Sequence, residues 1–272
     1  MTAEASVSDG HDTTVAVPGG HIFVRRWSVP GATGTPLVLL HDSLGSVDQW
    51  REFPRALAAA TSRPVVAYDR LGFGRSSPRT GRPSLDFIAE EAEQVFPALM
   101  EALGIERFMP FGHSVGGAMA LTIAARWGAR CEAVVSEAAQ AFVEPLTLDG
   151  IRQAKQQFTD PAHLARLARW HGDKAVWVLD AWTQVWLSPA FASWSLDAEL
   201  ERITCPVLAI HGEHDEYGSL AFPRRIAGGV KGPARLGILP CGHVPHRDRG
   251  GEVLRLVADF LSMDSGVQSG RA

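Results

Sequence analysis

Short, uninterrupted apolar runs recur along the chain at Leu37–Leu40, Val65–Tyr68, Phe108–Phe111, Ala133–Val135, Val207–Ile210 and Leu236–Leu239. Runs of this length and density are the pattern of strands buried on both faces of a parallel sheet. Between them the apolar positions change to helical spacing. Examples are Trp50, Phe53 and Leu57, then Phe87, Val95, Leu99 and Leu103 within a helix expected from about Ser84 to Leu103. Further helices are expected from Met119 to Trp127, Leu220 to Ile226 and Glu252 to Leu261. Ahead of the first run, two β-rich segments from Thr13 to Val29 flank Pro18-Gly19-Gly20, a hairpin signal. The alternation predicts an α/β fold: a mostly parallel central sheet with helices on both faces.

The rhythm breaks between Ala139 and Arg202. That stretch holds only helical patterns, at Ile151 to Phe158, His163 to His171 and Lys174 to Leu187. An all-helical insertion after the sixth strand reads as a cap over the carboxyl ends of the strands, where such sheets bind ligands. The expected organisation is therefore a core in two parts, residues 13–138 and 203–263, with a helical cap at 139–202. Residues 1–12 and 264–272 are polar and read as flexible tails.

Composition narrows the class. A chain of 272 residues suits one large core, and 46% hydrophobic with 21% charged residues is ordinary for a soluble protein. A net charge of −4 gives no electrostatic case for nucleic acid or an anionic membrane. No apolar run approaches the roughly 18 residues of a membrane span. Cys131, Cys205 and Cys241 are odd in number and lack ligand spacing, so neither a disulfide framework nor a zinc site is indicated. The first dozen residues carry Glu4, Asp9 and Asp12 and do not read as a signal peptide, which makes a cytoplasmic location the expectation.

Candidate chemistry centres on Gly112-His113-Ser114-Val115-Gly116, set between an apolar strand and a helix. A Gly-x-Ser-x-Gly in that setting is a nucleophile elbow, whose tight turn lifts the serine hydroxyl clear of the sheet. A serine nucleophile needs a base, and the base an orienting acid. Asp215 lies just past the Val207–His211 strand, and His243 just past Leu236–Leu239, so the chain order is Ser114, Asp215, His243.

With these residues the chain resembles the α/β-hydrolase superfamily, in its serine-nucleophile form with a helical cap. His41-Asp42-Ser43-Leu44-Gly45 resembles the oxyanion loop of that family, and Asp69-Arg70-Leu71-Gly72-Phe73-Gly74-Arg75-Ser76 its glycine-rich turn. The resemblance covers about His21 to Leu261. It implies that Ser114 attacks a carbonyl carbon, that His243 moves the proton and that Asp215 orients His243. It implies oxyanion donors at the backbone N–H of Val115 and of Ser43, with Leu44 the weaker alternative. Asp42 replaces the usual glycine, and is read either as a backbone-shaping turn residue or as a binding group.

Secondary candidates remain beside these. Glu137 follows the strand expected at Ala133–Ser136 and is an alternative orienting acid. Leu44, His113, Trp177, Trp182 and Trp186 are candidates for the substrate pocket, and the cap tryptophans serve equally as packing anchors. The expected function is cofactor-free, metal-free hydrolysis of small to medium apolar esters, with lactones and thioesters chemically close. Carbon–carbon bond hydrolases of ring-cleavage products share this cap and triad, but commonly carry an aromatic residue where Val244 stands. Cofactor-free oxygenases, perhydrolases and ligand-binding receptors of similar fold are further alternatives. Oligomeric state is not legible in the sequence.

Overall fold

The computed structural model describes residues 7–264, and the strands among them form one sheet. They are β1 (His11–Val17), β2 (Gly20–Trp27), β3 (Leu37–Leu40), β4 (Val65–Tyr68), β5 (Met109–His113), β6 (Val134–Glu137), β7 (Val207–Gly212) and β8 (Ala234–Leu239). The spatial order is β1-β2-β4-β3-β5-β6-β7-β8. β1 and β2 pair antiparallel, as do β2 and β4, while β4 through β8 run parallel. Pro18 and Gly19 turn the β1–β2 hairpin, with Gly19 at the positive φ of 92° that a Pro-Gly turn requires.

The helices are α1 (Phe53–Thr61), α2 (Phe87–Glu90), α3 (Phe96–Ala102), α4 (Val115–Arg126), α5 (Pro145–Gln157), α6 (Pro161–His171), α7 (Ala175–Trp186), α8 (Asp197–Leu200), α9 (Ala221–Gly229), α10 (Pro245–Asp248) and α11 (Gly250–Asp264). The side-chain period of two explains the uninterrupted apolar runs. Val38 and Leu40 join the core cluster that contains Leu99 and Met119, from α3 and α4. Leu37 and Leu39 join the opposite cluster, with Leu57 of α1 and Val257 of α11. Both faces of the sheet are thus covered. Among the described residues, no helix is long and apolar enough to cross a membrane.

Every regular element between β6 and β7 is helical, from α5 through α8 with short 3₁₀ turns. An isolated bridge between Phe142 and Ser195 closes the base of that insertion. The α6 start has a clear local cause. Asp160 accepts a hydrogen bond from the Ala162 N–H at 2.9 Å, and Pro161 occupies the first turn.

Two expectations need correction. The stretch assigned as an N-terminal tail is partly structural: His11 and Asp12 begin β1, Asp12 pairs with Arg25 and Arg75, and Val7 is buried. Charge pairing with the neighbouring strand holds a segment whose polarity suggested freedom. Residues 1–6 and 265–272 of the assigned tails lie outside the described residues. The helix expected from Ser84 to Leu103 begins at Phe87 and contains a π turn, Glu91–Val95. Pro97 follows two residues after Val95, and its missing N–H and bulky ring cannot continue an unbroken α ladder.

Candidate active site

Ser114 sits between β5 and α4 with φ 57° and ψ −125°, a conformation that costs a non-glycine residue strain. The surrounding contacts impose it. The Ser114 N–H donates to the Glu137 carbonyl at 2.8 Å, and the Ser114 carbonyl accepts from the Gly117 N–H at 2.8 Å. A Cβ at Gly112 would collide with the Gly116 carbonyl, and one at Gly116 with the Leu40 carbonyl. Glycine at both positions is what allows the turn to close.

The loops after β7 and β8 bring two more groups to this turn. His243 Nε2 stands 3.0 Å from Ser114 Oγ, and His243 Nδ1 lies 2.8 Å from both Asp215 carboxylate oxygens. The Tyr217 N–H donates to Asp215 Oδ1 at 2.7 Å, which fixes the carboxylate plane. Burial pulls the His243 pKa down, but the Asp215 hydrogen bond and charge outweigh it, helped by Glu216 and Asp42, and leave it raised. Burial pushes Asp215 up, and its bond to His243, the His243 and His211 charges and the Tyr217 N–H together hold it below the usual carboxylate value. The three residues singled out from sequence are therefore brought into one hydrogen-bonded chain.

The His41–Gly45 loop is anchored by the His41 ring and the Arg70 guanidinium. His41 Nε2 accepts from the Arg70 N–H at 3.1 Å, and the Asp42 carbonyl accepts from Arg70 Nη2 at 2.7 Å and from His41 Nδ1 at 2.8 Å. Asp69 ties this loop to the glycine-rich turn, accepting from the Val47 N–H at 2.6 Å and the Arg75 N–H at 2.7 Å. Among the described residues, neither Ser43 nor Val115 donates its N–H to a turn, loop or capping hydrogen bond. The Asp42 carboxylate makes no hydrogen bond or ion pair there either, so it does not shape the turn in the way an Asx motif would.

A chamber of about 170 Å³ opens over Ser114. Ser43, Leu44, Trp182, Trp186 and His243 line it, as does Asp42. Trp177 does not. It lines the adjoining cleft with Ser43, Val115, Trp182 and Trp186, its ring lying against Gly72 and its Nε1–H donating to the Gly81 carbonyl at 2.9 Å. His113 also leaves the expected pocket. As the last residue of β5 it points below the elbow, where its Nε2 donates to the His243 carbonyl at 2.8 Å and its ring meets His246. Burial, with the neighbouring His246 charge, lowers its pKa to about 4, which leaves the ring neutral.

Two residues gained importance only in three dimensions. Gln140 is 4% exposed, lines the chamber, and places Nε2 3.3 Å from Ser114 Oγ. The one sequence signal was a glutamine inside the apolar stretch Ala138-Ala139-Gln140-Ala141-Phe142. His171, at the end of α6, accepts from the Gly74 N–H at 2.9 Å and donates to the Leu44 carbonyl at 3.0 Å. It thus ties the helical insertion to both substrate-side loops, and nothing in its spacing announced that.

Glu137, the alternative acid, pairs elsewhere. Its Oε2 accepts from His246 Nδ1 at 2.6 Å, fully buried beneath the elbow. Together with His113 these residues bring three ligand-type atoms within 4.8 Å of one another, the one such group among the described residues. The Glu137–His246 separation is that of a hydrogen bond, shorter than the roughly 3.3 Å between two ligands of a tetrahedral ion. The group is a buried acid–imidazole pair.

Comparison with known proteins agrees with this fold. The family model described as the alpha/beta hydrolase fold matches residues 35–249. The chain is 38% identical over 116 residues to the 1-acylglycerol-3-phosphate O-acyltransferase ABHD5 of Homo sapiens, a match covering 41% of this chain and 32% of that protein. It therefore spans only about a third of that relative's length. It is 26% identical over 252 residues to the 2-hydroxymuconate semialdehyde hydrolase of Pseudomonas sp. (strain CF600), covering 84% of this chain and 87% of the relative. Among solved structures, the enol-lactonase from Burkholderia xenovorans LB400 superposes with a TM-score of 0.71 at 23% identity, covering 92% of this chain and all of that one. A parallel sheet with a strained serine at its centre, matched by the family model over most of its length, places the chain in the α/β-hydrolase family.

Proposed function

We propose that the protein is a serine hydrolase of small to medium apolar carboxylic esters, lactones and thioesters included. The observation that carries the reading is the unbroken chain from Ser114 Oγ through His243 to Asp215, with hydrogen bonds of 3.0 and 2.8 Å. His243, held by Asp215 in the tautomer with Nε2 free to accept, takes the Ser114 proton as Oγ attacks the carbonyl carbon. The N–H groups of Val115 and Ser43 receive the developing oxyanion, and each such donor is worth about 3 kcal/mol to the transition state. His243 then protonates the leaving group, and water repeats the sequence on the acyl-serine. Asp215 keeps its charge throughout, consistent with its lowered pKa.

Carbon–carbon bond hydrolysis is the second reading, favoured by the near full-length similarity to the semialdehyde hydrolase. Turnover of a chain-length series of p-nitrophenyl esters, beside a vinylogous ring-cleavage diketone, separates the two. The ester reading expects the series to be cleaved with a distinct optimum and the diketone to survive. Cleavage of the diketone alone would reverse the assignment.

A further inference from the structure

The charged side chains lining the chamber over Ser114, His243 apart, are carboxylates. Asp42 and Glu216 line it together with Gln140, and no lysine or arginine does. The Asp42 carboxylate has no hydrogen-bond or ion-pair partner among the described residues, and it sits folded over Gly45 at the floor of the oxyanion loop. Glu216 stands at the exposed mouth, where its Oε2 accepts from the His243 N–H at 3.2 Å. Gln140 adds an independent, buried polar group to the chamber wall. It is 4% exposed, its Nε2 is occupied by Ser114 Oγ, and its buried Oε1 has no partner. A buried acceptor left without a donor is costly, so a donor is expected to visit it.

Neither arginine beside the oxyanion loop binds the Asp42 carboxylate: Arg247, which lines a second pocket with Asp42, donates instead to the Gln49 carbonyl at 2.9 Å. Arg70 binds the Asp42 carbonyl rather than its carboxylate, lies over the Phe73 ring with its Cζ 4.3 Å from the centroid, and lines the adjoining cleft instead. Glu91 is the main counter-charge to Arg70. His41 and His171, the imidazoles beside the loop, are both pushed toward the neutral form by burial. Asp42 and Glu216, neither with an ion-pair partner among the described residues, both support positive charge on His243.

Position within the reaction says which half of the substrate meets them. His243 must hand its proton to the leaving group, so the leaving group lies on the His243 side, beside Glu216 and Tyr217. The acyl half lies on the other side, toward Val115 and the Trp177–Trp186 cleft. From this arrangement we infer that the enzyme acts on apolar acyl esters whose leaving group carries a protonated amine, an amino-alcohol ester in chemical class. The ammonium is bound between Asp42 and Glu216, and an N–H of the same group satisfies Gln140 Oε1. It also screens Asp42 from the oxyanion that develops on the neighbouring N–H groups, so the benefit is greatest in the transition state.

This inference rests on the serine-hydrolase reading, and its test keeps the two apart. Three esters of one short fatty acid are compared by pH-stat at neutral pH: an ω-ammonioalkyl ester, its ω-methyl isostere and the ω-carboxylate analogue on the same stem. The wild type is expected to cleave the ammonio ester with kcat/KM at least about tenfold above the methyl ester, and the carboxylate ester slowest. Added salt should shrink the ratio, because Glu216 faces solvent at the chamber mouth. Asp42→Asn and Glu216→Gln should each reduce the ratio toward unity. Calorimetry of an alkylammonium alcohol on Ser114→Ala, against its methyl isostere, gives the same comparison without turnover and is expected to favour the cation. Equal or inverted preference in both measurements overturns the inference, while cleavage of the methyl ester would leave the hydrolase reading standing. Cation-selective binding without cleavage of any ester would instead overturn the hydrolase reading, and with it the assignment of an ester substrate.

Discussion

Removing the Glu137 carboxylate isolates the buried acid–imidazole pair beneath the elbow. Glu137 and His246 have side chains 0% and 4% exposed, and the Oε2–Nδ1 distance is 2.6 Å. Glu137→Ala strands the Nδ1–H of His246 against Trp50 and Phe53, whose rings lie 4.6 and 5.3 Å away and offer no acceptor. Breaking one side of such a pair costs about 3–5 kcal/mol. At about 2–4 °C per kcal/mol for a chain of this size, Tm should fall on the order of 10 °C. The pH dependence has a definite sign. Burial raises the Glu137 pKa, but His246 and His113 outweigh burial and hold it below its ordinary 4.5. A depressed carboxyl contributes fully above its unfolded value and loses that contribution as pH falls through the folded value. The wild-type advantage is therefore complete at neutral pH and should shrink as pH falls below the ordinary 4.5. Thermal melts of both proteins across that range read this directly. A Tm change under about 2 °C at neutral pH, or a gap that widens in acid, would refute the reasoning.

Other consequences follow from the same geometry. Asp215→Asn should lower kcat about 10⁴-fold by admitting the wrong His243 tautomer, whereas folded Glu137→Ala should stay within about tenfold of wild type. Equal losses in the two would reinstate Glu137 as the orienting acid. Because the His243 pKa lies above its ordinary 6.5, the acid limb of kcat/KM should have its midpoint above pH 6.5, and Asp215→Asn should shift that midpoint downward. A wild-type midpoint well below 6.5 would contradict the assigned base. Gly116→Ala should destabilise the elbow by about 1–3 kcal/mol or more, since its Cβ would meet the Leu40 carbonyl; an unchanged melting curve would count against the turn described.

Much of this arrangement was legible along the chain because it depends on local or repetitive signals. The strands announced themselves as apolar runs because a sheet covered on both faces leaves no polar side. Ser114, Asp215 and His243 could be read because each follows a strand in an order that one topology requires. What escaped depends on distance in three dimensions. His113 adjoins Ser114 in sequence, yet successive residues of a strand face opposite ways, so it serves the underside of the site. Trp177 and Trp182 share α7, but the helix turns Trp177 onto Gly72 while Trp182 reaches the chamber. Gln140 and His171 carry no spacing signature, because their partners lie 26 and 127 residues away. The end of the assigned N-terminal tail misled by composition, since the charge of Asp12 that suggested freedom is satisfied by Arg25 and Arg75 on the neighbouring elements.

The central claim, that Ser114 is the nucleophile of an acyl-transfer site, is tested most directly by covalent capture. The folded wild type is treated with a fluorophosphonate, and the modified peptide is identified by mass spectrometry, with Ser114→Ala treated in parallel. An activated serine attacks phosphorus, expels fluoride and retains a stable phosphonyl group, which ordinary serines do not form at a comparable rate. The expected result is one adduct per chain on Ser114, none on Ser114→Ala, and parallel loss of ester turnover. A folded wild type that remains unlabelled, or that is labelled equally in Ser114→Ala, would contradict the account.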